Sequence, residues 1–254
     1  MKLRVLGCSG GVGGDNLTSA FLVDDDILLD CGTGGGVLDR EGLAKIDYVF
    51  ISHAHMDHIA FLPLLIDTVG EARTRPVTVY ALEETIRALR THIFNWQIWP
   101  DFTVIPDKEC PYLQFVAVRQ NELLVLGNRT VTPFASHHSV PSVALSLDSG
   151  ESQLVYTSDT GYSAAMIEKI NQLPALRHLI IEAAFPNSKR SLAIASGHLC
   201  PSMLAVVLNE LKVSPHIHVN HLKPGLKQQI NQELAHLPEH LHWSFLEQEQ
   251  VLEF

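Results

Sequence analysis

The sequence predicts an α/β protein in which two mixed sheets pack face to face with helices outside. Short apolar runs bounded by turn residues come first and helical stretches later, and this order occurs twice along the chain. At 254 residues the chain is long enough to bury one large core. With 46% hydrophobic and 18% charged residues and no Gly/Ser/Pro-rich linker, the composition fits a compact chain, and a single domain over residues 1–254 is expected.

The elements follow in order. LRVLG, TSAFLV and DILLD read as strands because each is a short apolar run closed by glycine-rich or acidic turns. Tyr48 to Ile51 is the next strand and leads into a helical region that Pro63 breaks or restarts, since proline is best tolerated in a first turn. RPVTVY reads as a strand and Leu82 to Arg90 as a helix. The second half repeats the logic, with strands near Leu113 to Val118, Thr130 to Phe134, Val143 to Leu147 and Gln153 to Thr157. A helix at Ser163 to Gln172, the strand HLIIE, a helix at Pro201 to Leu211, the strand HIHVN, a final helix and a terminal strand complete the pattern. No sequence repeat underlies it.

Twenty-eight acidic residues against 18 basic ones give a net charge of −10, and no Lys/Arg cluster could track a phosphate backbone. Large nucleic acids are therefore poor partners, whereas a small anionic substrate remains compatible because bound divalent cations can dominate a local field. Cys8, Cys31, Cys110 and Cys200 lack CxxC spacing and read as reduced thiols. With no apolar stretch of about 18 residues and no secretory-type leader in MKLRVLGCSGG, the expectation is a cytoplasmic protein without a membrane span.

The chemistry concentrates in ISHAHMDHIAF, where His53, His55, Asp57 and His58 follow an apolar strand directly. A loop leaving the C-terminal end of a buried strand is where α/β architectures place sites. Two apart, His53 and His55 can project the same way, while Asp57 and His58 at a helix start can turn to an adjacent point. Imidazole nitrogen and carboxylate oxygen without thiolate suit catalytic divalent ions better than structural zinc.

HxHxDH resembles the first metal motif of the metallo-β-lactamase superfamily, and further motifs occur in the same order over nearly the whole chain. LLDCGTG, ASHHSVPS, TSDTG and NHLKPG resemble the later ones. The resemblance implies a four-layer αβ/βα sandwich and two divalent metal ions, zinc first, with manganese and iron served by the same donors. It implies that His53, His55 and one of the His137/His138 pair hold one ion, that Asp57, His58 and His221 hold the other, and that Asp159 bridges them. Asp30 would support the first histidines. Of the doubtful pair His138 is favoured, because HSVPS resembles the family's histidine followed by a short segment into a strand.

HAHMDHIAFLPLL, HIFNWQIWPDF, IIEAAFPN, SGHLCP and HLKPG narrow the resemblance to class II cyclic-nucleotide phosphodiesterases and, more distantly, ribonuclease Z enzymes. Met56 and Phe61 depart from the class II pattern, and Phe61 adds bulk near the motif. The implied activity is hydrolysis of the 3′ ester of a 3′,5′-cyclic nucleotide, cyclic AMP favoured, to the 5′-nucleotide. A ribonuclease Z-like tRNA nuclease and a ligand-binding protein that lost turnover are the competing expectations. Asp57 counts among the catalytic residues through the metal site. His198 resembles the histidine that protonates the leaving oxygen, and Glu182 its carboxylate partner.

CSGGVGGDN lacks GxxxxGK[ST] and reads as a tight turn near the site entrance rather than a phosphate loop. Phe94, Trp96, Trp99 and Phe102 read first as core packing or a dimer contact, which leaves room for a homodimer, and second as a base-stacking surface.

Overall fold

The structure, a computed structural model, describes residues 1–238 and 241–254. One sheet contains β1 (Lys2–Gly7), β2 (Ala20–Val23), β3 (Ile27–Leu29), β4 (Tyr48–Phe50), β5 (Val77–Ala81) and β6 (Leu113–Ala117). The other contains β7 (Leu124–Leu126), β8 (Arg129–Ala135), β9 (Val143–Asp148), β10 (Gln153–Tyr156), β11 (Leu176–Glu182), β12 (His216–Asn220) and β13 (Trp243–Phe245). The last strand, β14 (Val251–Glu253), returns to the first sheet and pairs antiparallel with β1. Both sheets are seven-stranded, with orders β14-β1-β2-β3-β4-β5-β6 and β13-β12-β11-β10-β9-β8-β7. Each begins with antiparallel neighbours joined by turns and continues with parallel ones. Parallel pairing needs a crossover, which is why helices appear in the later part of each half.

Side chains alternate across each strand, so every strand serves two cores. Phe21 and Val23 of β2 face the space between the sheets, while Ala20 and Leu22 face outward. In β10, Leu154 and Tyr156 face inward and Val155 outward. The inter-sheet layer is strongly aromatic: the Phe21 and Tyr156 rings meet edge to face at 4.8 Å, and Phe50 stacks on Tyr80 at 4.8 Å. Helices α1 (Arg40–Lys45), α3 (Leu62–Val69) and α4 (Glu83–His92) cover the first sheet through Leu43, Leu65, Ile66, Ile86 and Leu89. Helices α5 (Ala164–Ile170), α7 (Pro201–Asn209) and α8 (Lys227–Leu234) cover the second through Ile167, Ile170, Leu204, Val207, Ile230 and Leu234. Helix, sheet, sheet and helix form the four expected layers; the short α2 (Met56–Ile59) is the helix start expected at Asp57 and His58, and α6 (Arg190–Ser196) has no counterpart in the sequence pattern.

Several elements escape the sequence pattern for physical reasons. Helix α1 is six residues long and buries only Leu43, and its start is fixed by Asp39 accepting from Gly42 N at 2.8 Å. Helix α6 buries only Ala193. Neither offers the repeated apolar positions that periodicity needs. The expected terminal strand is two strands in different sheets. Pro63 stands in the first turn of α3, as expected. No single helix among the described residues is long and apolar enough to cross a membrane.

If the aromatic inter-sheet layer holds the sandwich together, Phe50→Ala should cost about 3–5 kcal/mol in urea unfolding, whereas Val251→Ala on the half-exposed edge strand should stay within about 0.5 kcal/mol. Equal losses would contradict that account.

Candidate metal centre

The strand ends converge along the seam between the sheets. Asp30 follows β3, Ser52 to His55 follow β4, and Asp57 and His58 lie in α2, whose N-cap is His55. From the second sheet come His138 after β8, Asp159 after β10, Glu182 at the end of β11 and His221 after β12. Candidate donor atoms of His53, His55, His138 and Asp159 all lie within 4.8 Å of one another, and so do those of Asp57, His58, Asp159 and His221. Asp159 belongs to both groups. Its Oδ2 is 3.8 Å from His53 Nε2, 3.9 Å from His138 Nε2 and 3.3 Å from His58 Nε2, while Oδ1 is 3.2 Å from His221 Nδ1. Asp57 Oδ2 is 3.7 Å from His221 Nε2, and His138 Nε2 is 3.1 Å from His55 Nδ1.

The outward ring atoms are tied down. His58 Nδ1 donates to Asp30 Oδ2 at 2.7 Å, and His138 Nδ1 donates to the Gly197 carbonyl at 2.9 Å. Asp30 is fully buried and also accepts from Ser52 N, Ser52 Oγ and Tyr156 Oη, each at 2.8 Å. Asp30, Ser158 and His221 have φ of 55°, 57° and 57°. That left-handed conformation costs an ordinary L-residue about 1–2 kcal/mol, and strain held at several points of one site marks function. Gly10 has a different reason for its identity: a Cβ there would stand 2.4 Å from the His221 carbonyl oxygen. CSGGVGGDN is thus the turn that backs His221.

The donor set fits divalent ions. His53 Nε2, His58 Nε2, Asp159 Oδ1 and both ring nitrogens of His221 are buried without a hydrogen-bond partner among the described residues. Leaving such atoms unpaired is costly, and an ion would satisfy them together. Burial pushes His53 well below 6.5, with His58 adding to the effect, and lowers His55 and His138 as well. Burial takes His221 down to about 3 even though Asp159 opposes it. These rings are therefore neutral near pH 7, the form that ligates metals. Burial raises the Asp159 carboxyl, but the imidazoles around it outweigh burial and hold it well below its usual range, with His58 Nε2 at 3.3 Å the ring that carries charge. His58 is the exception, because Asp159 and Asp30 outweigh its burial and hold it well above 6.5. Nitrogen and oxygen donors without thiolate suit zinc, manganese or iron.

His198 and Glu182 stand beside the donors. His198 Nδ1 donates to Glu182 Oε1 at 2.7 Å, and Glu182 also accepts from the backbone N–H of Thr160 at 2.8 Å, Ala184 at 3.1 Å and Leu199 at 3.2 Å. Although Asp159, Glu182 and His198 also lie close enough to hold an ion, the Glu182 oxygens are already saturated, which favours an orienting role. Burial lowers His198, but Glu182 more than compensates and raises it above 6.5.

The two histidines that the sequence left in competition separate clearly in space. His138 lies in the donor group, while His137 is exposed, with its ring beside Gly161. Phe61 packs over the Thr33–Val37 turn, where a Cβ on Gly35 would meet its ring at 2.7 Å. Met56 is exposed. Phe94 and Phe102 are buried in the outer core of the first sheet and Trp99 packs against it, but Trp96 is 64% exposed. Ser52, Ser158 and Lys223 were not anticipated as site residues. Lys223 Nζ donates to the Gly10 carbonyl at 2.6 Å and lies 3.9 Å from Asp57 Oδ2. Its place in NHLKPG, beside an expected ligand, was the available signal.

A four-layer αβ/βα sandwich with paired His/Asp donors along its seam defines the metallo-β-lactamase class. The chain belongs to that superfamily: a sequence model of the beta-lactamase superfamily domain matches residues 26–219. It is 28% identical to a probable 3′,5′-cyclic-nucleotide phosphodiesterase of Yersinia pestis, over 89% of this chain and 79% of that protein. A ribonuclease Z of Clostridium beijerinckii is 41% identical over 38% of this chain and 34% of its own length. In three dimensions the chain resembles unliganded yeast PDE1, with a TM-score of 0.84, 19% identity and coverage of 100% and 99% of the two chains.

His138→Ala should weaken zinc binding by about 10²-fold or more, while His137→Ala should change it by less than about threefold; chelator competition measures both. Equal losses would remove His138 from the donor set. Because His58 carries a proton in the metal-free protein, zinc binding should release protons and tighten as pH rises toward the His58 value, which calorimetry in two buffers would detect. Proton-neutral binding would contradict this.

Proposed function

We propose that the protein is a dinuclear-metal phosphodiesterase that hydrolyses 3′,5′-cyclic nucleotides, cyclic AMP first, to 5′-nucleotides. The observation that carries the reading is the seating of Asp159 in both donor groups with the His198–Glu182 pair beside them. The cyclic-nucleotide phosphodiesterase name of the Yersinia relative, aligned over most of both chains, supports the substrate class. In this reading His53, His55 and His138 hold one ion, Asp57, His58 and His221 the other, and Asp159 bridges them.

Bound divalent ions would supply an acidified water and neutralise phosphoryl charge in an in-line displacement. The chain's own residues do the rest. Asp30 and the Gly197 carbonyl keep the ligating rings from turning. Glu182 holds His198 by Nδ1 and favours its protonated form, which leaves Nε2–H to donate to the departing 3′ oxygen. A ribose alkoxide is a poor leaving group, so this proton matters for the natural ester.

The ribonuclease Z alternative draws on the 41% identity of one segment, and the net charge of −10 weighs against a long RNA. Metal analysis of the purified protein, followed by product assays on cyclic AMP, cyclic GMP, 2′,3′-cyclic nucleotides, bis(p-nitrophenyl) phosphate and a precursor tRNA, tests the two together. Cleavage of the tRNA without turnover of cyclic nucleotides would overturn the proposal.

His198→Ala should keep both metals and slow cyclic AMP hydrolysis by about 10²-fold or more, the scale of a lost general acid. On bis(p-nitrophenyl) phosphate, whose leaving group needs no proton, the loss should be much smaller. Glu182→Gln should show the same selectivity with a smaller amplitude. Comparable losses on both esters would place the proton donor elsewhere.

A further inference from the structure

Ser158 precedes Asp159, is 1% exposed and sits in the left-handed region at φ 57°, where glycine would be unstrained. Its hydroxyl donates to Ser52 Oγ at 2.7 Å and lies 3.5 Å from His53 Nδ1. Ser52 Oγ is in turn 2.8 Å from Asp30 Oδ2 and 3.0 Å from His53 Nδ1. A hydroxyl has one proton and two lone pairs. The Ser52 proton goes to the Asp30 carboxylate, which can only accept. Its lone pairs are then filled by the protons of Ser158 and of His53 Nδ1. His53 is left with its lone pair on Nε2, the buried and unpartnered atom that faces Asp159.

We propose that Ser158 is a positioning residue of the metal centre: its hydroxyl completes the hydrogen bonds of Ser52 and so holds His53 in the tautomer that ligates. The inference rests on the dinuclear reading above. Without the Ser158 proton, the Ser52 hydroxyl polarises less strongly toward Asp30 and can turn its own proton to His53 Nδ1, because Asp30 Oδ2 retains Tyr156 and His58. That rearrangement moves the His53 proton to Nε2, among the donors. The strained backbone is kept because glycine, which would relieve it, carries no hydroxyl.

Ser158→Gly separates these contributions, since it keeps the left-handed turn that aims Asp159 and removes only the hydroxyl. The metal-free variant should melt at or above the wild-type temperature, while its zinc affinity, read by competition with a chromophoric chelator, should fall about 10-fold. Long-range ¹H–¹⁵N spectra of the metal-free protein should show His53 protonated at Nδ1 in the wild type and a growing Nε2–H population in the variant. Ser158→Ala should match the affinity loss but melt below the glycine variant. Wild-type affinity in Ser158→Gly, or an unchanged His53 tautomer, would overturn the proposal, as would an affinity loss explained by a lower melting temperature. Failure of the wild-type protein itself to bind zinc would instead overturn the dinuclear reading.

Discussion

The arrangement depends on one buried carboxylate. Asp30 is removed from solvent, and an ionised group in that position is tolerable only when its lone pairs are filled. Its four donors come from three places: the backbone and hydroxyl of Ser52 after β4, the ring of His58 in α2, and the phenol of Tyr156 in β10. Tyr156 belongs to the second sheet and the others to the first, so the same group that satisfies its charge also ties the two sheets together. It holds the ring of His58 directly and reaches that of His53 through Ser52. Fold and the orientation of the candidate metal donors therefore share one hydrogen-bond centre, and the site cannot loosen without cost to the sandwich.

Around that centre the chain accepts unfavourable local states. Neutral imidazoles and a carboxylate crowd together with buried atoms lacking partners. Asp30, Ser158 and His221 stand in left-handed backbone at the point where each strand turns into the site. These costs have a common geometry, since each sharp turn aims a side chain from a strand end back into the seam. A relaxed loop would point it to solvent.

Much of this was legible in the sequence, for a chemical reason. HAHMDH concentrates residue types that have few structural uses side by side, and Asp159 and His221 sit in short motifs that follow apolar strands, so the residues that converge could be named before their distances were known. Adjacency alone could not divide His137 from His138; what divides them is the reach of the Gly197 carbonyl to His138 Nδ1, a contact made across 59 residues. Ser52 and Ser158 were invisible because serine is common in turns and a positive φ at a non-glycine residue leaves no compositional mark. The split of the C-terminus between β13 and β14 was hidden as well, since strand partners are set by distant chain, not by the three-residue runs themselves.

A donor set of this kind determines the reaction more than the substrate. In the proposed reading the metal donors and the His198–Glu182 pair act on a phosphodiester and its leaving oxygen, and neither reads what is attached beyond them. Discrimination between a cyclic nucleotide and an RNA end has to come from the surrounding walls: the glycine turn that backs His221, Lys223 beside Asp57 and the Phe185 ring, which packs edge to face on His198 at 5.7 Å. The overall charge of −10 bears on the same question, because an RNA must bring its whole backbone against that field, whereas a cyclic nucleotide brings one phosphate. The repulsion scales with the phosphates that must approach, while the attraction of bound divalent ions is confined to the seam. In the proposed reading that asymmetry favours small anions even when the chemistry at phosphorus is identical.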